Sequence, residues 1–108
     1  MTKLKTNIMD KKELYGLIGF VLSSKNRVKV LNAINKDYKM PSEIGRELDM
    51  NFAMVSYSLS TLKSKKLVRC LNENASKGRI YICTPLGLEI LNNILKRIVK
   101  EFLTPFFH

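Results

Sequence analysis

Few residues of this chain are of the types that catalysis or metal binding requires. Its cysteines, Cys70 and Cys83, do not have the paired spacing of a zinc site, and its one histidine is His108, the last residue. No paired carboxylates, no nucleophile with a neighbouring base and no glycine-rich phosphate loop can be assembled from the other residues. The sequence therefore predicts no catalytic residue, no metal site and no cofactor, and it indicates a protein that is not an enzyme.

The two cysteines fall in residues 67–72 and 79–83, which are rich in β-branched and aromatic residues and predict a pair of strands. For a hairpin that turns at Ala75 and Ser76, we expect Cys70 to lie opposite Ile82 and Cys83 to point to the other face. This arrangement predicts no cross-strand disulfide, and it predicts that both thiols are small apolar groups that are buried or half-buried. Redox sensing is the alternative role for them.

The distribution of charge is more informative than these residues. The chain of 108 residues has a net charge of +10 and a pI near 9.8. Residues 51–88 contain six basic residues and one acid, Glu73, whereas residues 37–50 contain four acids and two basic residues. Segregated charge of this kind predicts a basic face that attracts polyanions. A generally lysine-rich surface without a partner is the alternative.

A helix is predicted at the start of this basic region, over residues 51–65. Asn51 is a suitable N-cap, and four apolar residues at helical spacing predict the inward face: Phe52, Val55, Leu59 and Leu62. The rest of the helix carries serines, Tyr57 and no acid. This composition is unusual, because exposed helices commonly alternate glutamate and lysine. Small hydroxyl groups would allow close approach to a polar, anionic surface.

Apolar periodicity and capping residues predict the succession of elements around this helix. In order, they are helices over residues 10–22 and 25–35, a short helix from Pro41 to Leu48, a break at 49–51, helix 51–65, the two strands, and a helix over 84–103 that begins at Thr84 and Pro85. This is the order of a winged helix-turn-helix domain. The predicted fold class is mainly α with a small β-hairpin (α+β). We expect one domain over residues 10–108, after a basic and partly ordered segment over residues 1–9.

Three stretches resemble the ArsR–MarR-type winged-helix regulators of bacteria and archaea, over roughly residues 24–91. Residues 26–31 (NRVKVL) resemble the family's Arg-x-x-Ile-Leu helix. Its helix-turn-helix is matched by residues 41–48 (PSEIGREL) and by Val55, Ser56, Leu59, Leu62, Leu67 and Val68. Residues 81–87 (YICTPLG) resemble its Tyr-x-Leu-Thr-x-x-Gly segment. The chain has Asp49 and Lys66 where the family usually has glycine, at positions that often need a left-handed backbone.

The resemblance implies a DNA-binding surface. It places helix 51–65 in the major groove and implies base-edge or groove contacts by Asn51, Ala53, Ser56, Tyr57 and Ser60. It implies phosphate contacts by Ser42, Lys63 and Lys65, and backbone or minor-groove contacts by three residues of the wing, residues 73–79: Asn74, Lys77 and Arg79. The alternative for each lysine is a solvated side chain, and for Tyr57 it is packing against the wing or another subunit.

The terminal helices carry more apolar surface than a three-helix core with a small hairpin can easily cover. The last helix has apolar residues at the 3-4-3-4 spacing of a coiled-coil seam: Leu88, Leu91, Leu95, Ile98 and Phe102. The first helix has an apolar face of its own: Leu14, Leu17, Ile18 and Val21. We expect these faces to form a homodimer that presents two copies of helix 51–65 to DNA. The alternative is that the two helices fold back on each other within one monomer.

These patterns together predict a sequence-specific regulator of transcription that binds double-stranded DNA and is most simply a repressor. A winged-helix module that binds a protein or RNA is the alternative, since fold does not determine function. A crevice between the terminal helices could hold an apolar small-molecule effector, although no residue marks one. The longest apolar run, residues 14–22, is far shorter than the roughly 20 residues of a membrane span, and no secretory cleavage pattern is present. We therefore expect no membrane partner and a cytoplasmic protein.

Overall fold

A computed structural model describes residues 9–107 of the chain, with side chains over residues 9–100. The described part contains five helices and a two-stranded antiparallel hairpin. In chain order they are α1 (Lys11–Leu22), α2 (Lys25–Ala33), α3 (Pro41–Leu48), α4 (Phe52–Ser64), β1 (Val68–Cys70), β2 (Tyr81–Cys83) and α5 (Pro85–Phe107). The predicted α+β winged helix-turn-helix is thereby confirmed. None of the described helices is long and apolar enough to cross a membrane.

Four of these helices begin at a side chain that accepts a hydrogen bond from the first turn. The capping residues are Asp10, Ser24, Asn51 and Thr84, and each accepts from the backbone N–H three residues further on. The predicted caps at Asn51 and Thr84 are confirmed. Thr84 also donates its hydroxyl proton to the carbonyl of Lys66 at 2.7 Å, so the cap of α5 is tied to the turn that follows α4.

Among residues 9–107, two residues other than glycine adopt a left-handed backbone, and they are the two at which the resemblance implies glycine. Asp49 has φ of 56° and Lys66 has φ of 62°. Asp49 turns the chain from α3 into α4, and the turn is tight enough that a Cβ on Gly45 would lie 2.8 Å from the carbonyl oxygen of Met50. Lys66 turns the chain from α4 into β1. The two strained positions are therefore the corners that set the orientation of α4.

The register of the hairpin differs from the prediction by one residue. Val68 pairs with Cys83, Arg69 with Ile82, and Cys70 with Tyr81. The turn is centred between residues 75 and 76, as expected. A turn with this centre pairs Cys70 with Tyr81, so the predicted pairing of Cys70 with Ile82 was wrong by one residue. Because successive side chains alternate between faces, Cys70 and Cys83 share one face, and the prediction that they point to opposite faces was wrong. Both are free thiols and are buried, as expected.

A third segment joins the hairpin at one residue. Lys39 donates its N–H to the carbonyl of Tyr81 at 3.0 Å and accepts from the Tyr81 N–H at 2.9 Å. Its side chain forms an ion pair with Glu47 of α3 at 2.6 Å. The segment that leads into α3 is therefore fixed to β2, and the wing and the helix-turn-helix form one body.

Part of the predicted dimer interface lies in the core of the chain itself. Ile18, Val21 and Leu91 are 4%, 0% and 0% exposed, so their assignment to an interface between protomers was wrong. The reason is that α1 and α5 pack against each other within the chain, which was the alternative prediction. At Gly87, near the start of α5, an added Cβ would overlap the carbonyl oxygen of Leu67. Because α5 approaches the backbone this closely, the first half of the predicted seam faces the core of the chain.

The remaining residues of the predicted interface lie at the edge of this core or beyond it. Four of them are half-buried and pack against the core from outside: Leu14, Leu17, Leu88 and Leu95. Ile98 is 51% exposed and Val99, beside it, is 53% exposed. The side chain of Phe102 lies outside the described residues. An apolar surface therefore continues along α5 past the part of the helix that the core covers.

Candidate nucleic-acid interface

Helix α4 packs one side into the core and exposes the other. Val55, Leu59 and Leu62 are at most 2% exposed. The five predicted groove residues are all exposed: Asn51, Ala53, Ser56, Tyr57 and Ser60. Tyr57 is 69% exposed, and α4 carries no acidic residue. This exposed side can approach an anionic surface without charge repulsion from its own helix.

Two residues of α4 lie where the apolar pattern does not place them. Phe52 is 68% exposed, so the prediction that it faces inward was wrong. It is the first residue of the helix, and a helical side chain lies over the turn that precedes it, which here does not exist. Ser58 is only 2% exposed and belongs to the buried side. The exposed surface at the start of α4 is thus more apolar and contains fewer hydroxyls than the sequence suggests.

Asn51 has only part of its side chain available for a partner. Its Oδ1 accepts from the N–H of Met54 at 2.8 Å as the cap of α4. A bidentate contact with adenine needs both the oxygen and the nitrogen of the amide. While it caps the helix, Asn51 can therefore offer a partner its Nδ2 amide group but not a free acceptor.

The wing, residues 73–79, is shaped by side chains that bond to its own backbone. The amide of Asn72 spans its base, accepting from the N–H of residue 80 at 2.8 Å and donating to the carbonyl of residue 78 at 3.1 Å. Arg79 donates from Nε to the carbonyl of Ala75 at 2.9 Å and from a terminal nitrogen to that of Glu73 at 3.0 Å. The guanidinium of Arg79 is therefore used inside the loop, and a contact with nucleic acid would compete with these bonds.

A carboxylate ties the wing to α4. One oxygen of Glu73 lies 2.7 Å from Nζ of Lys63, and the other lies 3.9 Å from the guanidinium of Arg79. The hydrogen bond between Lys63 and Glu73 raises the pKa of Lys63 and lowers the pKa of Glu73. All three side chains are between 40% and 49% exposed, so the pairs are weak and open to exchange with another anion. Lys63, a predicted phosphate contact, and Arg79, a predicted backbone or minor-groove contact, thus share one internal counter-ion.

A cleft of about 500 Å³ brings the start of α3, the first turns of α4 and the wing together. The predicted residues Ser42, Ser56 and Lys77 all line it, and all are exposed. Asn74, also exposed, lies on the wing outside this lining. Phe52 and Met40 contribute apolar surface to the cleft. Ser42, Ser56 and Lys77 therefore lie on one continuous surface that joins the helix-turn-helix to the wing.

Lys65 does not belong to this surface. It ends α4, about 20 Å from Asn51 at 1.5 Å per residue. Its Nζ lies 5.5 Å from the centre of the Phe20 ring, which also carries the guanidinium of Arg27 at 4.2 Å. Lys65 is therefore placed beside α1, at the opposite end of α4 from the cleft.

This surface offers hydroxyl groups, amides and cations that can bond phosphates or base edges. Among residues 9–107, no three histidine, cysteine or carboxylate side chains are grouped closely enough to hold a metal ion. Burial raises the pKa of the Cys83 thiol to about 11, which keeps it protonated at neutral pH and makes it a poor nucleophile.

Three features escaped prediction from the sequence. The exposure of Phe52 had a usable signal, because a residue directly after an N-cap has no preceding helical turn. Asn72 lies at a strand end and had only the weak signal of a turn-forming residue. The bridge between Lys39 and Tyr81 had none, since a single paired residue leaves no periodic pattern.

Solved structures of winged-helix regulators are similar to this chain. The homodimeric winged helix-turn-helix DNA-binding domain Mb0332 of Mycobacterium bovis, a possible ArsR-family regulator, has a TM-score of 0.69 and 16% identity over 91% of this chain and 94% of that one. MepR of Staphylococcus aureus, solved as a complex with DNA, has a TM-score of 0.67 and 15% identity over 89% of this chain and 82% of that one. No protein-family profile and no curated protein matches the sequence.

A mutant of ZitR from Lactococcus lactis has a TM-score of 0.65 and 14% identity over 75% of this chain. This chain spans 56% of the length of that one. At identities this low, similarity establishes the fold and leaves the function to be argued from the surface. The element order, the two left-handed corners and these similarities lead to one conclusion: the chain has the winged helix-turn-helix fold of the transcriptional regulators that it resembles.

Proposed function

We propose that this chain is a transcriptional regulator of the ArsR–MarR type that binds double-stranded DNA as a homodimer and acts as a repressor. The continuous surface formed by α4, the start of α3 and the wing carries this proposal. It joins an acid-free helix to basic and hydroxyl side chains on three elements. The fold is shared with MepR, which was solved bound to DNA. Repression is the simplest consequence of occupying a promoter.

In the proposed complex, residues 51–65 lie in the major groove and the wing follows the backbone or the minor groove. Ala53, Ser56, Tyr57 and Ser60 face the base edges, and Asn51 donates from Nδ2. Ser42 bonds a phosphate at one side of the groove, and Lys77 does so from the wing. Lys63 and Arg79 contribute when a phosphate replaces the carboxylate of Glu73.

The dimer in this proposal forms along the far part of α5. Ile94 and Ile98 are consecutive on one stripe of the helix, yet Ile94 is 0% exposed and Ile98 is 51% exposed. The stripe therefore continues past the edge of the core, with Leu95 and Val99 beside it. The radius of gyration is 15.2 Å, above the roughly 13 Å of a compact chain of this length, as expected for a protruding helix. A second copy of α5 would cover the stripe symmetrically.

Sedimentation of the intact chain at micromolar concentration tests the dimer. We expect a dimer for the wild type and a monomer for Ile98→Gln. Glu89→Gln is the matched control, because it introduces the same side chain at an exposed position on the side of α5 opposite the stripe. A monomeric wild type would refute the dimer, and dissociation by both variants would refute the position of the interface.

A titration with mixed-sequence DNA at two salt concentrations tests the binding. We expect affinity to fall steeply with salt, because phosphate contacts release counter-ions. Lys77→Ala should weaken binding to all sequences and lower the salt slope by about 1 for each protomer. Ser56→Ala and Tyr57→Ala should instead change the order of preference among sequences. Equal behaviour of all three variants would refute the assignment of α4 to the groove.

One observation favours a protein partner as a second candidate. Phe52, Met54 and Tyr57 are 68%, 38% and 69% exposed, and such apolar side chains also suit a protein interface. The same titration separates the candidates. Absence of DNA binding at low salt would favour the protein partner, while steep salt dependence supports DNA.

A further inference from the structure

Resting on the proposed DNA-binding function, we propose that this surface selects thymine by contact with its C5 methyl group. The contact is made by the exposed apolar side chains at the start of α4, those of Phe52, Ala53 and Tyr57. Thymine places a methyl group in the major groove, whereas unmodified cytosine, adenine and guanine do not. The specificity of the surface then comes from apolar contact more than from paired hydrogen bonds.

The side chains that make strong bidentate base contacts are nearly absent from the first turns of α4. Guanine is read by arginine or lysine, and adenine by asparagine or glutamine. Between residues 51 and 60, only Asn51 belongs to this set. Its Oδ1 is already held by the N–H of Met54 at 2.8 Å. The serine hydroxyls can donate or accept and so discriminate little between bases. Hydrogen bonds from α4 can therefore discriminate little between bases.

Exposed apolar surface is concentrated at the same place. Phe52 and Tyr57 are 68% and 69% exposed on a helix without acids. They are five residues apart, so they point in directions about 140° apart around the helix axis, and Ala53 lies between them. A single exposed ring is ordinary on a protein surface. Phe52, Ala53 and Tyr57, here called the apolar patch, spread over about 140° of the circumference of α4 at its first turns. Phe52 lines both clefts that flank the start of α4, one toward the wing and one toward α3. Its ring thus projects from the N-terminal end of α4. In helix-turn-helix proteins, the N-terminal residues of the corresponding helix contact the base edges.

The electrostatic surroundings favour DNA as the partner of this patch. Residues 51–88 contain six basic residues and one acid, Glu73, and that acid is paired with Lys63 and Arg79. Lys77 of the wing is exposed on the other side of the cleft that Phe52 lines. On the other side of Phe52, Arg46 and Asp49 both line the cleft toward α3, so the excess of positive charge lies on the side of the wing. An apolar patch beside this basic wing fits a base edge that bears a methyl group next to a phosphate backbone.

Uracil removes the methyl group of thymine without changing base pairing, so it isolates the contact. The probes are an alternating A·T duplex and the same duplex with uracil in place of thymine. Burial of one methyl-sized group corresponds to about fourfold in affinity, so one contact per half-site gives about 15-fold for a dimer. We expect the wild type to prefer the thymine duplex by about this factor.

Three variants connect the preference to the patch. Phe52→Ala and Tyr57→Ala should each reduce the ratio of the two affinities, and both rings are exposed enough for the variants to fold. Tyr38→Ala removes a ring that is 63% exposed but lies outside the surface, so it should keep the wild-type ratio. An alternating G·C duplex with 5-methylcytosine should also bind more tightly than its unmethylated form.

The outcomes are distinguishable. Equal binding of the thymine and uracil duplexes by the wild type would overturn the methyl contact and leave DNA binding intact. A thymine preference that survives in both Phe52→Ala and Tyr57→Ala would overturn the assignment to this patch. Failure to bind either duplex at low salt would overturn the proposed function itself.

Discussion

Replacing Lys66 with glycine should stabilise the protein, because Lys66 holds a backbone conformation that glycine adopts without strain. Its φ is 62°. In the left-handed region, the Cβ of an L-residue costs about 1–2 kcal/mol, and glycine avoids this cost. Glycine also loses more backbone freedom on folding, which offsets roughly 0.5–1 kcal/mol. The net expectation is a gain of about 0.5–1 kcal/mol in the free energy of unfolding.

The contacts of Lys66 support this figure. Its N–H donates to the carbonyl of Lys63 at 2.9 Å, and its own carbonyl accepts from the hydroxyl of Thr84 at 2.7 Å. Neither bond uses the side chain, which is exposed, so glycine keeps both. For a domain of this size, the gain corresponds to a rise of roughly 2–6 °C in the midpoint of thermal unfolding.

Thermal and denaturant unfolding of Lys66→Gly and Lys65→Gly provide the assay. Lys65 is the matched control, because it carries the same charge one residue earlier and has φ of −99°. Lys65→Gly relieves no strain and should lower stability by roughly 0.5–1 kcal/mol. If both variants were destabilised to the same extent, the left-handed strain at residue 66 would be refuted.

Three further predictions concern the core, the thiols and the wing. Gly87→Ala should destabilise by about 1–3 kcal/mol in denaturant unfolding, because the new Cβ would overlap the carbonyl of Leu67 and lie 2.7 Å from Sγ of Cys83. With its pKa raised to about 11, Cys83 should be only about 0.1% thiolate at pH 8, so mass spectrometry should find slow alkylation until the chain unfolds. Glu73→Gln should raise affinity for DNA and steepen the salt slope by about 1 per protomer, because Lys63 is freed, while the unfolding midpoint changes little.

Each of these has a contradicting result. Gly19→Ala is the control for Gly87→Ala, since an added Cβ there meets nothing within 4 Å and should stabilise α1 by about 0.5–1 kcal/mol. A Gly87→Ala protein as stable as Gly19→Ala would contradict the close packing of α5. Fast alkylation of Cys83 in the folded protein would contradict its burial. Weaker DNA binding by Glu73→Gln would mean that the wing needs the carboxylate for its shape.

The sequence was sufficient for features that depend on a few neighbouring residues. Asn51 and Thr84 cap helices because their side chains reach the first turn, whatever the rest of the fold does. Asp49 and Lys66 stand at corners where the local chain path requires a left-handed residue. The buried stripe of α4 follows from helical spacing alone, except at Phe52, where the helix begins.

The sequence was insufficient where the partner of a side chain is distant along the chain. Leu91 and Ile98 belong to one apolar stripe, and only the packed structure shows that the first is inside the protomer and the second is not. Arg79 is of a residue type that commonly contacts phosphates, yet its guanidinium donates to carbonyls of its own loop. The face on which Cys83 lies depended on the hairpin register, where a shift of one residue reverses the outcome.

Selection of bound fragments from genomic DNA tests most directly whether α4 and the wing read double-stranded DNA. We predict enrichment of a sequence that is roughly palindromic and rich in A·T pairs, with half-sites about 10 base pairs, one turn of the double helix, apart between their centres. Tyr57→Ala should enrich an altered sequence, and Lys77→Ala should enrich the same sequence more weakly. Recovery of no sequence above the starting pool by the wild type would contradict the proposed function.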